Sequence, residues 1–276
     1  MSVALVTGAG GSIGAEVAVK LAAAGHTIAV NDIEGTAAAA TVDRIRRSGG
    51  QASPFIADVG DPDEVDRLLE KIESSLGSVG ILVNNAGVPG RFSLIVDMSN
   101  AGWATTRRVH MDGPFYLTRG TARQMIPRRF GRIVSIASIA ALEGTVGSAE
   151  YAAAKAGLVA LTKTAAKELG SFGITANVVL PGMVATPINQ ALQDKNSAFI
   201  SAAVAGTPTG RMVNPVDVAS AVAYLVSDAG AGCNGASLVL DGGTSTMGPM
   251  DPFMHGFLAE RSPFLSESNG AKESSQ

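Results

Sequence analysis

The stretch Val3-Ala4-Leu5-Val6-Thr7-Gly8-Ala9-Gly10-Gly11-Ser12-Ile13-Gly14 decides the fold. An apolar run ends at Thr7, glycines follow at once, and a helical stretch over 13–24 opens inside the motif. Glycine lets a backbone turn sharply and approach a ligand closely. Set between a first strand and a first helix, such a turn offers a pyrophosphate the helix N-terminus. The spacing is not G-x-G-x-x-G, because position 13 is Ile, and no Gly-Lys-Ser/Thr follows to make a Walker loop. A plain tight turn is the alternative; the position between first strand and first helix favours binding.

Outward from this motif, short apolar runs alternate with helical ones. Strands are expected at 3–6, 27–31, 52–57, 81–83, 132–137, 175–180 and 237–240, and helices at 13–24, 35–48, 61–76, 100–126, 149–172 and 216–227. Most strand runs are continuously apolar, as in strands covered on both faces. Asp61-Pro62 and Asn214-Pro215 each place a polar cap before a proline, a helix start. Strand–helix alternation implies parallel strands joined by right-handed crossovers. The expected fold is α/β, a single doubly wound, Rossmann-like parallel sheet over 1–247, with a C-terminal extension at 248–276. In such a sheet, ligands bind beyond the carboxyl ends of the strands.

Composition narrows the function. A net charge of −3 and the lack of a Lys/Arg cluster argue against a nucleic-acid partner. Cys233 is the one cysteine, which fits a reducing, cytoplasmic location. No apolar run approaches a membrane span, so no membrane partner is expected. No metal is expected either.

Asp32 ends the second strand run, where a carboxylate hydrogen-bonds a ribose 2′-hydroxyl and repels a 2′-phosphate. No Arg or Lys occurs at 8–14 or 31–34 to accept such a phosphate, so NAD is expected over NADP. A helix cap or turn is the alternative use of this Asp.

Tyr151 and Lys155 stand four residues apart, on one helix face, and Ser138 lies thirteen positions upstream of the tyrosine. A nearby ammonium favours a phenolate, so Lys155 is expected to lower the Tyr151 pKa. The phenol then exchanges a proton near neutral pH, and a serine hydroxyl beside it holds the reacting oxygen. A surface ion pair is the common alternative for this spacing.

Together these motifs resemble the short-chain dehydrogenase/reductase family from about residue 3 to residue 247. Asp58-Val59, Asn84-Asn85-Ala86-Gly87, Pro181-Gly182 with Val184 and Thr186, Gly210-Arg211 with Pro215 and Val218, and Asp241-Gly242-Gly243 carry the likeness in order. The resemblance implies a cofactor site of Gly8, Gly11, Ser12, Ile13, Gly14, Asp32, Ile33, Asp58, Val59, Asn85, Ala86, Gly87, Tyr151, Lys155, Pro181, Gly182, Val184 and Thr186. It also implies Tyr151 as general acid or base, Lys155 as its modulator and Ser138 as the holder of the substrate oxygen. Two departures stand out. Ser12 replaces a Gly or Ala of the turn, and His110 replaces the Asn that in the family kinks the long helix and holds a relay water. His110 is therefore a candidate catalytic residue, as water holder or proton carrier, or else a filler of the kink.

The substrate is expected to meet the segments 88–98 and 187–208, which offer Pro89, Phe92, Leu94, Met183, Ile188, Leu192 and Phe199, with Ala140 and Leu142 beyond the serine. Such lining suits an apolar secondary alcohol or ketone. Arg91 is either a carboxylate partner or a solvated loop residue. The segment 248–265, dense in Phe, Met and Pro, is expected to pack on a neighbouring subunit or on its own, with a disordered end at 266–276. The expected protein is an NAD-dependent oxidoreductase and a homo-oligomer, tetramer or dimer. An NAD-binding regulator or scaffold without turnover, and a dehalogenase-type lyase, are the competing readings.

Overall fold

A computed structural model describes residues 1–90, 92–186 and 197–248, together with Asp251 and Met254. Seven strands make one sheet: β1 (Val3–Thr7), β2 (Thr27–Asp32), β3 (Gln51–Ile56), β4 (Val79–Asn84), β5 (Gly131–Ile136), β6 (Ile174–Pro181) and β7 (Ser237–Leu240). Their order is β3-β2-β1-β4-β5-β6-β7, and each pairing is parallel. The order therefore reverses between β1 and β4, which opens a crevice at their carboxyl ends.

Side chains alternate across the sheet, so each strand feeds two cores. Ala4 and Val6 face α1 (Ser12–Ala23), α2 (Gly35–Arg47) and the last helix of the fold, Pro215–Val226. Leu5 faces α3 (Pro62–Leu76) and the helices packed beside it. Strands β4, β5 and β6 are buried along their whole length, which is why apolar residues predominate in them, with Asn84, Arg132, Ser135, Thr175 and Asn177 as the buried polar exceptions. Edge strand β3 alternates instead and contains Pro54, a residue that an edge tolerates because it donates no ladder bond. At the start of α3, the Asp61 carboxylate accepts from the Asp63 and Glu64 amides at 2.9 and 3.0 Å, a cap worth about 1 kcal/mol.

The long helix expected over 100–126 is interrupted. It consists of α4 (Asn100–Arg107), a π turn (Arg108–Asp112) and α5 (Gly113–Met125). Pro114 lacks the N–H that would close an α-helical bond to residue 110, and the Gly113 N–H reaches back to Arg108 O instead. Gly113 itself is pressed on β3's outgoing loop, where a Cβ would stand 2.8 Å from Val59 O.

After β5 come a short α6 (Ala140–Glu143) and the long α7 (Ala149–Leu169). The segment expected as a substrate-lining loop contains a helix, α8 (Ser197–Ala205), before α9 (Pro215–Val226). The sequence of α8 is largely apolar, with Ser197 and Ser201 its only polar residues, so it gives little polar pattern to mark a helical period. Among the described residues no helix is long and apolar enough to cross a membrane. Residues 187–196, the packing of 255–265 and the end at 266–276 lie outside the described residues.

Candidate active site

A cavity of about 630 Å³ opens at the β1/β4 crevice, lined from one end to the other by residues of the glycine turn, β2, β4, β5, α7 and β6. The turn is stapled from behind. Thr7 Oγ1 accepts from the Asn85 and Ala86 amides at 3.0 Å each, and Asn85 Nδ2 donates to Thr7 O and Gly8 O at 2.9 and 3.2 Å. Gly8 needs its left-handed φ of +61°, and a Cβ there would meet Ala86 Cα at 2.8 Å. Helix α1 has Gly11 as its N-cap and no side-chain capping bond, so its leading amides face the cavity unsatisfied. That is the arrangement an anionic pyrophosphate complements, and the residues present fit a dinucleotide.

Farther along, the Asp32 carboxylate is fixed by two amides, Gly10 N on Oδ2 at 2.9 Å and Glu34 N on Oδ1 at 3.0 Å. Both oxygens retain lone pairs to accept from a hydroxyl. Asp58 is likewise fixed: Gly60 N donates to Oδ1 at 2.8 Å and Arg108 Nη1 to Oδ2 at 2.7 Å. Arg108 lines the same cavity, and sequence reading assigned it nothing. Its signal was invisible because fifty residues and a π turn separate it from Asp58.

At the other end, Ser138, Tyr151 and Lys155 come together on the cavity wall. Ser138 Oγ accepts from the Ala140 amide at 3.2 Å and hydrogen-bonds Tyr151. Lys155 is buried, donates from Nζ to Ile136 O at 2.7 Å, and lies 5.6 Å from the Tyr151 ring centre. Burial pushes this lysine down to about 7. The Tyr151 phenol is not lowered, as Lys155 was expected to lower it. Burial raises it, and the hydrogen bond with Ser138, which favours the phenolate, offsets only part of that rise. Desolvation is the largest effect on both groups.

His110 sits on the π turn, 3% exposed, under Gly87, where a Cβ would come within 2.6 Å of its Cε1. Nε2 lies 2.9 Å from Val88 O and 3.1 Å from Val88 N. A neutral ring nitrogen cannot both donate to the first and accept from the second. We assign the proton to Nε2, on the shorter contact, which leaves Nδ1 an acceptor. Nδ1 is buried with no partner among the described residues. Burial, with the charge of Lys155 adding to it, pushes the imidazole down to about 3, so the neutral ring is the form present near pH 7.

All the cofactor positions expected from sequence line this one cavity. Of the expected substrate contacts, Pro89 lines it too. Phe92, Leu94 and Leu142 are exposed beside it, on loops joined by the Ser93 amide donating to Gly147 O at 2.9 Å. Arg91, Ile188, Leu192 and the side chain of Phe199 lie outside the described residues.

Comparison with known proteins gives concordant matches. A family model described as enoyl-(acyl carrier protein) reductase matches residues 8–245. The 3-oxoacyl-(acyl-carrier-protein) reductase of Escherichia coli is 39% identical over 241 residues, 87% of this chain and 96% of its own. The (3R)-3-hydroxyacyl-CoA dehydrogenase of Rattus norvegicus is 37% identical, with 88% and 95% covered. Among solved structures, a putative gluconate dehydrogenase from Agrobacterium tumefaciens superposes with a TM-score of 0.86 at 32% identity, covering 89% of this chain and 96% of that one. A gluconate 5-dehydrogenase from Burkholderia cenocepacia, in complex with NADP and tartrate, gives 0.85 at 34%, covering 90% and 96%.

Proposed function

The chain belongs to the short-chain dehydrogenase/reductase family, and from that premise we propose that it interconverts an apolar secondary alcohol and its ketone with NAD(H). Membership makes it an oxidoreductase of CH–OH groups that uses a nicotinamide cofactor. The observation that carries the finer reading is one cavity lined both by Asp32 and by the Ser138, Tyr151, Lys155 cluster.

When bound, the nicotinamide supplies or takes the hydride. The protein's own residues handle the proton. Tyr151 gives its phenolic proton to the carbonyl oxygen in reduction and takes the hydroxyl proton in oxidation. Ser138 donates to the same oxygen as its charge develops. Lys155, held near 7, recharges the phenol by trading protons close to the working pH. His110 Nδ1, a buried acceptor with no partner among the described residues on a ring packed against Tyr151, holds the water through which that proton moves.

The preference for NAD rests on Asp32, whose oriented carboxylate repels a 2′-phosphate. The NADP bound by the gluconate 5-dehydrogenase makes this the property to measure. An apolar substrate is supported by Val88 and Pro89 on the wall and by exposed Phe92, Leu94, Ile95 and Val96 on the loop that continues from them. The names of the acyl-carrier and acyl-CoA relatives point the same way. Exposed Trp103 and Phe115 on α4 and α5 support self-association, with a second copy covering them. The test is NADH and NADPH fluorescence titration, then turnover on a panel of 3-oxoacyl thioesters, simple ketones and polyols. Tighter NADPH than NADH binding overturns the cofactor reading. Turnover of polyols alone overturns the substrate reading.

A further inference from the structure

Glu150 has no part in the chemistry above, yet it is a carboxylate only 4% exposed, one residue before Tyr151. It stands in the first turn of α7, where the leading amides of the helix favour a negative charge. Gly90 is pressed on it. A Cβ on Gly90 would fall 3.1 Å from Glu150 Oε1, tighter than an ordinary contact, but 3.8 Å from Tyr151 Cβ and 4.0 Å from Ser148 Oγ, which are ordinary. The carboxylate is therefore what the backbone at Gly90 rests on, and close packing around a buried side chain leaves it little room to withdraw.

Val88, Pro89 and Gly90 form a strip of the cavity wall. Both ends of the strip rest on neighbours of Tyr151. The Val88 carbonyl meets His110 Nε2 at 2.9 Å, and the His110 ring packs edge-on to Tyr151. Gly90 meets Glu150 and comes beside the Tyr151 Cβ. The Ser93 amide, donating to Gly147 O at 2.9 Å, ties the same loop to the same approach to α7. The strip thus runs alongside Tyr151, and its distance from that side chain sets the room left for the substrate skeleton. A reactive pose needs such a wall fixed to within about 0.5 Å.

We propose that Glu150 is a positioning residue for the substrate, its buried carboxylate setting where the strip 88–90 stands relative to Tyr151. The proposal rests on the alcohol–ketone reading of the cavity, and its test separates the two. Steady-state kinetics with acetoacetyl-CoA, a 3-oxoacyl thioester, and with acetophenone, a simple ketone, are measured on the wild type, Glu150→Ala, Gly90→Ala and the double variant. NADH affinity and hydrogen exchange at the Ser93 amide are measured beside them. A wild type without turnover on these and on the wider panel rejects the substrate reading, while exchange at Ser93 still decides whether Glu150 holds the strip. Each single variant is expected to raise KM about tenfold, with kcat within about threefold and NADH affinity unchanged, because the strip shifts while Tyr151, Lys155 and the glycine turn stay. Glu150→Ala is also expected to speed exchange at Ser93 about tenfold. In the Glu150→Ala background, Gly90→Ala should add nothing to KM, since its methyl enters space that the carboxylate has left. A loss of kcat at unchanged KM, or NADH affinity falling in step, would mean that Glu150 only shapes the start of α7, and overturns the proposal. So do additive effects in the double variant, and so does wild-type exchange at Ser93 in Glu150→Ala. Should Glu150→Ala fail to fold, Glu150→Asp carries the same test, because it keeps the charge and draws the carboxylate back from Gly90. Gly90→Ala is then expected to raise KM in the wild type and not in Glu150→Asp, and an equal rise in both overturns the proposal.

Discussion

The imidazole of His110 stands edge-on to the ring of Tyr151, with centroids 5.3 Å apart and planes at 84°. The contact keeps a titratable ring inside the core next to a buried ammonium, and the folded state refuses it a proton until about pH 3. The unfolded chain takes that proton near 6.5. Folding therefore loses stability as pH falls from 6.5 toward 3, and gains none from this group above 6.5. His110→Asn removes the effect. Urea unfolding at a series of pH values is expected to show the wild type losing about 3 kcal/mol more than the variant between pH 6.5 and pH 4. Parallel curves for the two proteins reject a buried neutral histidine.

Lys155 acts in the same direction at higher pH. Its folded-state value is near 7, while the unfolded chain holds the proton to about 10.5. Between those values the unfolded state binds more protons, so stability rises with pH and the penalty is complete below 7. Lys155→Met is expected to flatten this rise. The gap between variant and wild-type unfolding free energies should shrink by several kcal/mol from pH 7 to pH 10. The same variant should be nearly inactive, so the protein tolerates a destabilising group for its chemistry.

Much of this was legible in sequence because it depends on local pattern. The strand runs, the glycine turn and the Tyr151, Lys155 spacing are each written within a few consecutive residues. Strand edges moved by a residue or two, as at Val79 and Gly131, where polar or glycine positions continue the ladder without an apolar signal. What escaped was set by distant packing. The π turn follows from Pro114 and from the pressure of Val59 on Gly113. The Asp58–Arg108 pair, the Val88 carbonyl that fixes His110, and the Ile136 carbonyl that holds Lys155 are all long-range contacts. The Tyr151 shift was misjudged for a related reason. Spacing reports the nearby lysine but not the burial of both groups.

Asp32 sets the cofactor choice through charge. Its substitution by Ala removes two bonds to the turn, from Gly10 and Glu34, along with the repulsion of a 2′-phosphate. NADH affinity is expected to fall about tenfold and NADPH affinity to fall less or rise, so their ratio moves by more than tenfold toward NADPH. Fluorescence titration with both cofactors reads this directly. A ratio that stays constant would show that Asp32 is only a turn residue.

The glycine turn separates folding from binding at two positions. A Cβ on Gly14 would stand 2.3 Å from Gly8 O and 2.9 Å from Ala9 Cα, both backbone. Gly14→Ala is therefore expected to lower stability by about 1–3 kcal/mol by overpacking, and to weaken NADH binding with it. A Cβ on Gly11 would meet only Gly8 O, at an ordinary 3.6 Å, and Gly11 has an extended backbone that alanine adopts freely. Gly11→Ala should keep its melting temperature and still lose NADH affinity, because the methyl occupies the approach to the uncapped α1 amides. If both variants bind NADH like the wild type, the turn does not hold the pyrophosphate.

Tyr151→Phe isolates the proton step. Phenylalanine fills the same place against His110 and beneath Ser138, so the fold and the glycine turn are untouched. Only the hydroxyl that would meet the substrate oxygen is lost, together with its bond to Ser138. Removing a positioned general acid or base costs about two to four orders of magnitude in rate. The expected result is a loss of at least a hundredfold in kcat with NADH affinity within about twofold of wild type. Because burial lowers Lys155 to about 7, the wild-type rate should also depend on pH around neutrality, and the residual rate of the variant should not follow that dependence. Retention of activity in Tyr151→Phe, with either cofactor, would move the proton transfer to another group in the cavity.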